Sequence, residues 1–191
     1  MWQSPAGNLY ASTLVRIRPG DPPAPSLALT AAVALHEAVK LFAPDAPVTI
    51  KWPNDLIVGG AKLSGILLER EGEAVVAGFG VNLASHPPET ERPAASLAAL
   101  TGAPPEPEAL LEALADIFGR WLGRWRGEGL SPVRAAWLAA AHPRGTALAT
   151  QGPGGERIEG LFDGLDADGS LRLRRGDGRV QTIHAGDVFL I

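Results

Sequence analysis

Lys51-Trp52-Pro53-Asn54-Asp55, followed seven residues later by Lys62-Leu63-Ser64-Gly65-Ile66-Leu67-Leu68-Glu69, is the stretch on which the fold turns. Residues 48–52 read as a buried strand and residues 56–58 as a second, and Gly59 and Gly60 supply a tight turn back into a third strand over residues 62–69. This is a hairpin with a polar rim. The rim uses scarce residues, because the chain has only three lysines (Lys40, Lys51 and Lys62) and two of them frame this stretch. A lysine ammonium is a compact point charge suited to a single phosphate or carboxylate oxygen, whereas arginine presents a planar fork. Asparagine is equally scarce, with Asn8, Asn54 and Asn82 alone, so the hairpin has the character of a nucleotide-handling site.

Working outward from the hairpin, Leu9-Tyr10-Ala11-Ser12-Thr13-Leu14-Val15-Arg16-Ile17 is strand-like, with β-branched residues and partial alternation. Pro22, Pro23 and Pro25 make a stiff connection, and Ser26 is placed to cap a helix running to about Phe42, with Leu27, Ala31, Leu35, Val39 and Phe42 near one face. Residues 74–83 form another apolar strand, in which Gly78 and Gly80 permit close approach of a ligand or a second backbone. Beyond Asn82 the pattern turns helical: a short helix over residues 94–100, a longer one with Pro107 in its first turn, and a third opened by Ser131-Pro132. Leu110, Leu114, Ile117, Phe118, Trp121 and Trp125 recur at helical spacing and read as core.

From Thr146 onward short strands alternate with Gly152-Pro153-Gly154-Gly155, Asp166-Ala167-Asp168-Gly169 and Gly176-Asp177-Gly178, the pattern of a small β-barrel with tight turns. The expected architecture is therefore α+β. A mixed or antiparallel sheet with packed helices occupies residues 1–143, and a small barrel follows over residues 144–191.

With 191 residues the chain can bury a sizeable core. A formal charge of −4 and scattered arginines give no basic field for gripping nucleic acid. The absence of cysteine excludes disulfides, thiolate metal sites and a cysteine nucleophile, and suits a reducing cytoplasm. No secretory segment opens the chain, and no apolar run is expected to span a bilayer. His36, His86, His142 and His184 do not pair at metal-ligand spacing. Asp166-Ala167-Asp168-Gly169 lacks the later ligands of a calcium loop and reads as a β-turn. Arg172, Arg174 and Arg175 read as a solvated face.

Four blocks in order resemble the biotin protein ligases: Trp2-x-Ser4-Pro5-x-Gly7-Asn8-Leu9-Tyr10-x-Ser12, Lys51-Trp52-Pro53-Asn54-Asp55, Lys62-x-x-Gly65-Ile66-Leu67-x-Glu69, and Gly78-x-Gly80-x-Asn82. The C-terminal segment ending in Ala185-Gly186-Asp187-Val188 resembles their SH3-like β-barrel. The resemblance implies a two-step reaction in which biotin and ATP give biotinyl-5′-AMP and pyrophosphate, and a lysine of a biotin carboxyl carrier domain then takes the biotinyl group. It implies that Lys62 bridges the biotin carboxylate and the α-phosphate, and that Lys51 holds the triphosphate. It also implies that Asn54 and Asp55 orient Mg²⁺, and that Tyr10, Ser12, Gly65, Ile66 and Gly78 line the biotin pocket. The resemblance further implies that Asn82 reads the adenine and that Trp2 packs near it.

Against that family pattern the glycine- and arginine-rich loop that covers the adenylate is expected to be missing ahead of Trp2, with a strand and a helix before it, so the chain reads as truncated. Two other readings stay open: a module that binds biotin or its adenylate without completing transfer, and a lipoate-type ligase on the related fold. A homodimer formed through the sheet is also open.

Overall fold

The computed structural model describes residues 4–88, 93–152 and 154–191. Strands β1 (Leu9–Arg16), β2 (Val48–Lys51), β3 (Asp55–Val58), β4 (Ala61–Glu71) and β5 (Ala74–Val81) form one sheet in the order β1-β5-β4-β3-β2, with every neighbouring pair antiparallel. The mixed alternative is thereby removed. The hairpin turn falls at Gly59 and Gly60, whose φ of 56° and 84° lie in the left-handed region that glycine enters at little cost.

Helices α1 (Leu27–Phe42), α2 (Leu97–Thr101), α3 (Pro107–Glu128) and α4 (Leu130–Ala140) follow the expected order. Of these, α1 packs on the sheet through β2, β3 and β4 and is itself covered by α3 and α4. The expected stripe on α3 is buried from Leu110 to Trp125, and Phe118 meets Phe79 of β5 edge-on at 5.8 Å between ring centroids. One face of the sheet is thus covered, and the face bearing Tyr10, Ser12, Leu14, Leu67 and Val76 is exposed.

Three expectations need correction here. Ser26 does not cap α1 through its side chain; a 3₁₀ turn over Ala24–Ser26 leads into the helix, and the Ser26 hydroxyl donates to the Pro23 carbonyl while accepting from Trp125 Nε1 at 2.8 Å. The short helix begins later than expected, at Leu97, because Ser96 accepts from the Ala99 N–H and fixes its start. Finally, Ala24–Phe42 is long and apolar enough to cross a membrane by length and composition, with a mean hydropathy of 1.2 over 19 residues, contrary to the sequence expectation. The span is 61 % buried between sheet and helices, which accounts for its apolar composition as that of a core helix.

The C-terminal strands β6 (Ala147–Gln151), β7 (Arg157–Leu165), β8 (Leu171–Arg174), β9 (Val180–Ile183) and β10 (Val188–Leu190) form a second antiparallel sheet in the order β10-β6-β7-β8-β9. This order has two ends, so no closed barrel forms among the described strands. The turn at residues 166–169 is a β-turn, closed by the Gly169 N–H on the Asp166 carbonyl at 3.1 Å. Arg172 is not simply solvated, since it bridges Asp163 and Asp166, each at 3.1 Å. The two sheets meet at Trp52, whose indole N–H donates to the Gly169 carbonyl at 3.0 Å, and at Lys51.

Candidate functional site

Antiparallel register sets one residue from each strand in a row across the open face: Lys51 opposite Asp55, Asp55 opposite Gly65, Gly65 opposite Gly80, and Gly80 opposite Tyr10. A second row joins Leu67, Gly78 and Ser12. At a strand spacing of about 4.8 Å the first row runs about 14 Å from Asp55 to Tyr10. Its middle is bare. A Cβ at Gly78 would lie 3.7 Å from Ser12 Oγ, and one at Gly80 would lie 3.8 Å from the Gly65 carbonyl, both ordinary contacts. Internal packing therefore does not demand glycine at these two positions. Its effect is a shallow trough with polar groups at one end and exposed apolar walls, Leu67 at 62 % and Leu14 at 60 % accessibility.

Lys62 reaches this face through an irregularity. In a regular strand residues 62 and 65 would point to opposite faces. The register between β3 and β4 shifts between Leu56 and Ile57, so Ser64 opposes Leu56 and Lys62 opposes Ile57, with Leu63 as the extra residue. That bulge puts Lys62 on the same side as Asp55 and Gly65. Its ammonium then folds back over Gly65 to lie 2.6 Å from Asp55 Oδ1, and a Cβ at position 65 would come within 2.9 Å of Lys62 Nζ.

The other oxygen of Asp55 lies 2.9 Å from Lys51 Nζ, which also donates to the Val188 carbonyl of β10 at 2.9 Å. The two lysines thus differ. Lys62 is 46 % exposed at the rim, whereas Lys51 and Asp55 are each 7 % exposed by side chain. Two ammonium groups against one carboxylate leave a net positive charge beside a cleft of about 130 Å³, whose walls include Ile57, Val188 and Phe189. The ammonium of Lys51, expected to hold a triphosphate, is engaged here by Asp55 and the Val188 carbonyl.

The asparagines brace this arrangement. The Asn54 amide donates to the Ile66 carbonyl, tying the turn after β2 to β4. Asn82 donates through Nδ2 to the Ala95 carbonyl at 3.0 Å. Asn8 was not singled out as a site residue, yet its Oδ1 accepts from the N–H groups of Leu83, Ala84 and Ser85, and its Nδ2 donates to the Ser85 carbonyl and the Tyr10 hydroxyl. Its signals in the sequence were the scarcity of asparagine and its place in the first block of the family resemblance. Ile66 is buried in the core, so its contribution to the open face is its backbone. Trp2 lies outside the described residues.

Behind Lys51, where α4 gives way to the second sheet, His142 packs edge-on against Phe162 at 4.5 Å between centroids. Burial holds its imidazole below the ordinary value. The Pro143 backbone acts in the opposite sense without making a hydrogen bond, and the Lys51 charge lowers it further. Among the described residues no group of three or more His, Cys, Asp or Glu side chains is arranged to hold a metal.

The site is thus a sheet face floored by glycine at positions 65, 78 and 80, with Lys62 at its rim and a small C-terminal sheet beside it. Residues 1–83 match the Biotin/lipoate A/B protein ligase family, and residues 149–191 match the Biotin protein ligase C terminal domain. A biotin--[acetyl-CoA-carboxylase] ligase of Paracoccus denitrificans is 39 % identical over 199 residues, a match that covers 98 % of this chain and 82 % of the relative. One of the same description from Mycobacterium tuberculosis is 32 % identical, with 85 % of this chain and 61 % of the relative covered. The fold resembles that of a biotin protein ligase from Aquifex aeolicus in complex with biotin and ATP, with a TM-score of 0.88 at 22 % identity over all of this chain and 82 % of that one. The chain belongs to the biotin protein ligase family.

Proposed function

We propose that this chain is an ATP-dependent, AMP-forming biotin protein ligase, and that the groove across the open sheet face is its active site. The observation that carries the reading is the Lys62 ammonium, set by the bulge at the rim of a bare glycine floor. Biotin lies along the floor, its ureido ring toward Tyr10 and Ser12 and its apolar parts against Leu67 and the backbone of Gly65, Ile66 and Gly78. Such sites pair apolar cover with a few fixed polar groups.

In the first step a biotin carboxylate oxygen attacks the α-phosphorus of ATP, forming a carboxyl–phosphate bond as the bond to pyrophosphate breaks. Both reactants are anionic, so a cation fixed between them lowers the barrier by stabilising charge that develops in the transition state. Lys62 performs this by leaving Asp55 for the substrate oxygens. In the second step the neutral amine of a carrier lysine attacks the biotinyl carbonyl, AMP departs as the amide forms and the amine proton passes to solvent, and Lys62 stabilises the leaving phosphate. Lys51 acts from inside, holding Asp55 against Val188 and adding to the positive field that draws the triphosphate.

Mg²⁺ bound to the phosphates would offset their charge and would keep much of its water. The donor set suits that route better than a protein cage, because among the described residues Asp55 is the one carboxylate lining the cleft and two ammoniums already flank it. Asp55 and Asn54 Oδ1 are the oxygens that would take the ion once Lys62 has moved. The adenine meets Asn82 Oδ1, which has no partner among the described residues and can accept from an exocyclic amine.

The division at residue 143, the SH3-like character of the second sheet and a cytoplasmic setting belong to the same reading. The partner is a biotin carboxyl carrier domain, with no role for nucleic acid. Strand β1 has one paired neighbour among the described residues, so a homodimer would form along its other edge. Competition between biotin and lipoate for adenylation by the 191-residue chain tests substrate class. Preference for biotin supports the reading, and preference for lipoate replaces it with the related acyl ligase.

A further inference from the structure

We propose that Asn82 is a positioning residue for Lys62, linking occupation of the nucleotide end of the groove to the placement of the lysine ammonium. The site itself is that of the ligase reading, but the linkage stands on geometry of its own. Lys62 sits on a bulge, where the regular ladder is interrupted. Its backbone is instead held by residues 93–95: the Lys62 N–H donates to the Pro93 carbonyl at 2.8 Å, and the Lys62 carbonyl accepts from the Ala95 N–H at 2.9 Å. These bonds make a one-residue parallel bridge between Lys62 and Ala94.

Asn82 joins both sides of that clasp. Its N–H donates to the Leu63 carbonyl within the bulge, its carbonyl accepts from the Leu97 N–H, and its side-chain Nδ2 donates to the Ala95 carbonyl, each at 3.0 Å. The same Nδ2 lies 3.5 Å from the Lys62 carbonyl. The residue therefore ties β4 to the segment that grips the lysine backbone, while its Oδ1 faces no partner among the described residues. A ligand amine bound to Oδ1 polarises the amide and strengthens donation from Nδ2 to Ala95, because hydrogen bonds in a chain reinforce one another. Nucleotide binding would then tighten the clasp before chemistry, and small misplacements of a catalytic group carry large rate penalties.

Asn82→Asp separates positioning from reading, since it keeps an acceptor for the ligand but turns a carboxylate oxygen against the Ala95 carbonyl. In the full chain, amide hydrogen exchange followed by NMR should be about tenfold faster at Lys62 and Ala95 in the variant, with Val75 in β5 unchanged. AMP, used as the probe, should slow exchange at Lys62 in the parent chain and not in the variant. In adenylate formation kcat should fall about tenfold while KM for ATP moves by less than about twofold. If Val75 also loses protection, Asn82→Ser gives the same readout, its hydroxyl being too short to reach Ala95.

Unchanged exchange at Lys62 overturns the proposal. So does a raised KM with kcat preserved, which would leave Asn82 as a reader only. If the parent chain makes no adenylate the ligase reading fails by itself, and the exchange data with and without AMP still decide whether Asn82 positions Lys62.

Discussion

Asp55 and Lys62 lie 2.6 Å apart, carboxylate to ammonium, although one is buried and the other stands at the rim. The buried end of the same carboxylate is held by Lys51, and Lys51 by the Val188 carbonyl. This chain of contacts carries the C-terminal sheet into the site and sets a fixed counter-ion beside the half-exposed lysine. It also predicts that Asp55 and Lys62 fail differently when removed.

Asp55→Ala leaves Lys51 as a buried cation without its partner, which costs about 3–5 kcal/mol of folding stability. Lys62→Ala removes the half-exposed member while Asp55 keeps Lys51, and should cost less than about 1 kcal/mol. Urea unfolding of the two variants measures the contrast; equal losses would mean that burial does not distinguish the two ion pairs.

Gly65→Ala places a methyl group within 2.9 Å of Lys62 Nζ. The flexible lysine can yield, so stability should change by less than about 1 kcal/mol, while adenylate formation falls about tenfold or more from displacement of the ammonium. Steady-state kinetics beside a thermal melt checks this, and unchanged kinetics would show that Lys62 does not work from its folded-back position.

Removal of residues 188–191 takes away the carbonyl that holds Lys51 and one wall of the cleft. The truncated chain should lose about tenfold or more in kcat/KM for ATP. The measurement is ATP–pyrophosphate exchange at saturating biotin, and full retention of activity would detach the second sheet from the chemistry.

His142 gives a pH signature. The imidazole has an ordinary value of 6.5, and burial lowers it in the fold. As pH falls through that value the unfolded chain takes up a proton that the folded chain resists, so stability is lost toward acid and is fully present above 6.5. His36, lowered chiefly by its own burial, adds in the same sense. Chemical unfolding from neutral pH down to about pH 5 should show a shallower decline in His142→Phe than in the parent chain. Parallel curves would remove His142 from the acid response.

The order of strands and helices was legible because hydrophobic period and glycine placement are local properties. The α3 stripe and the turn at Gly59 and Gly60 are where the sequence puts them. Ser26 was misread for a physical reason: a hydroxyl that looks like a helix cap is equally able to accept from an indole ninety-nine residues away. The bulge was hidden as well. Lys62 and Gly65 are three apart, a spacing that puts them on opposite faces until Leu63 is inserted as the extra residue. The candidate site residues were visible as scarce lysines and asparagines, but not their division of labour. Which lysine is buried depends on Val188, 137 positions along the chain, and no local pattern encodes that contact. The second sheet was read as a small SH3-like barrel from its turns; turns fix hairpins, but closing a barrel depends on pairing between β9 and β10, which is absent among the described strands.

The most direct test of the central claim is biotin-dependent formation of AMP from ATP and Mg²⁺ by the 191-residue chain, followed by transfer of biotin to a carrier domain, compared with Lys62→Ala. The ligase account predicts adenylate formation and transfer in the parent chain and a loss of about a hundredfold or more in the variant, since one preorganised group of this kind contributes on that scale. Turnover in Lys62→Ala equal to that of the parent would contradict it.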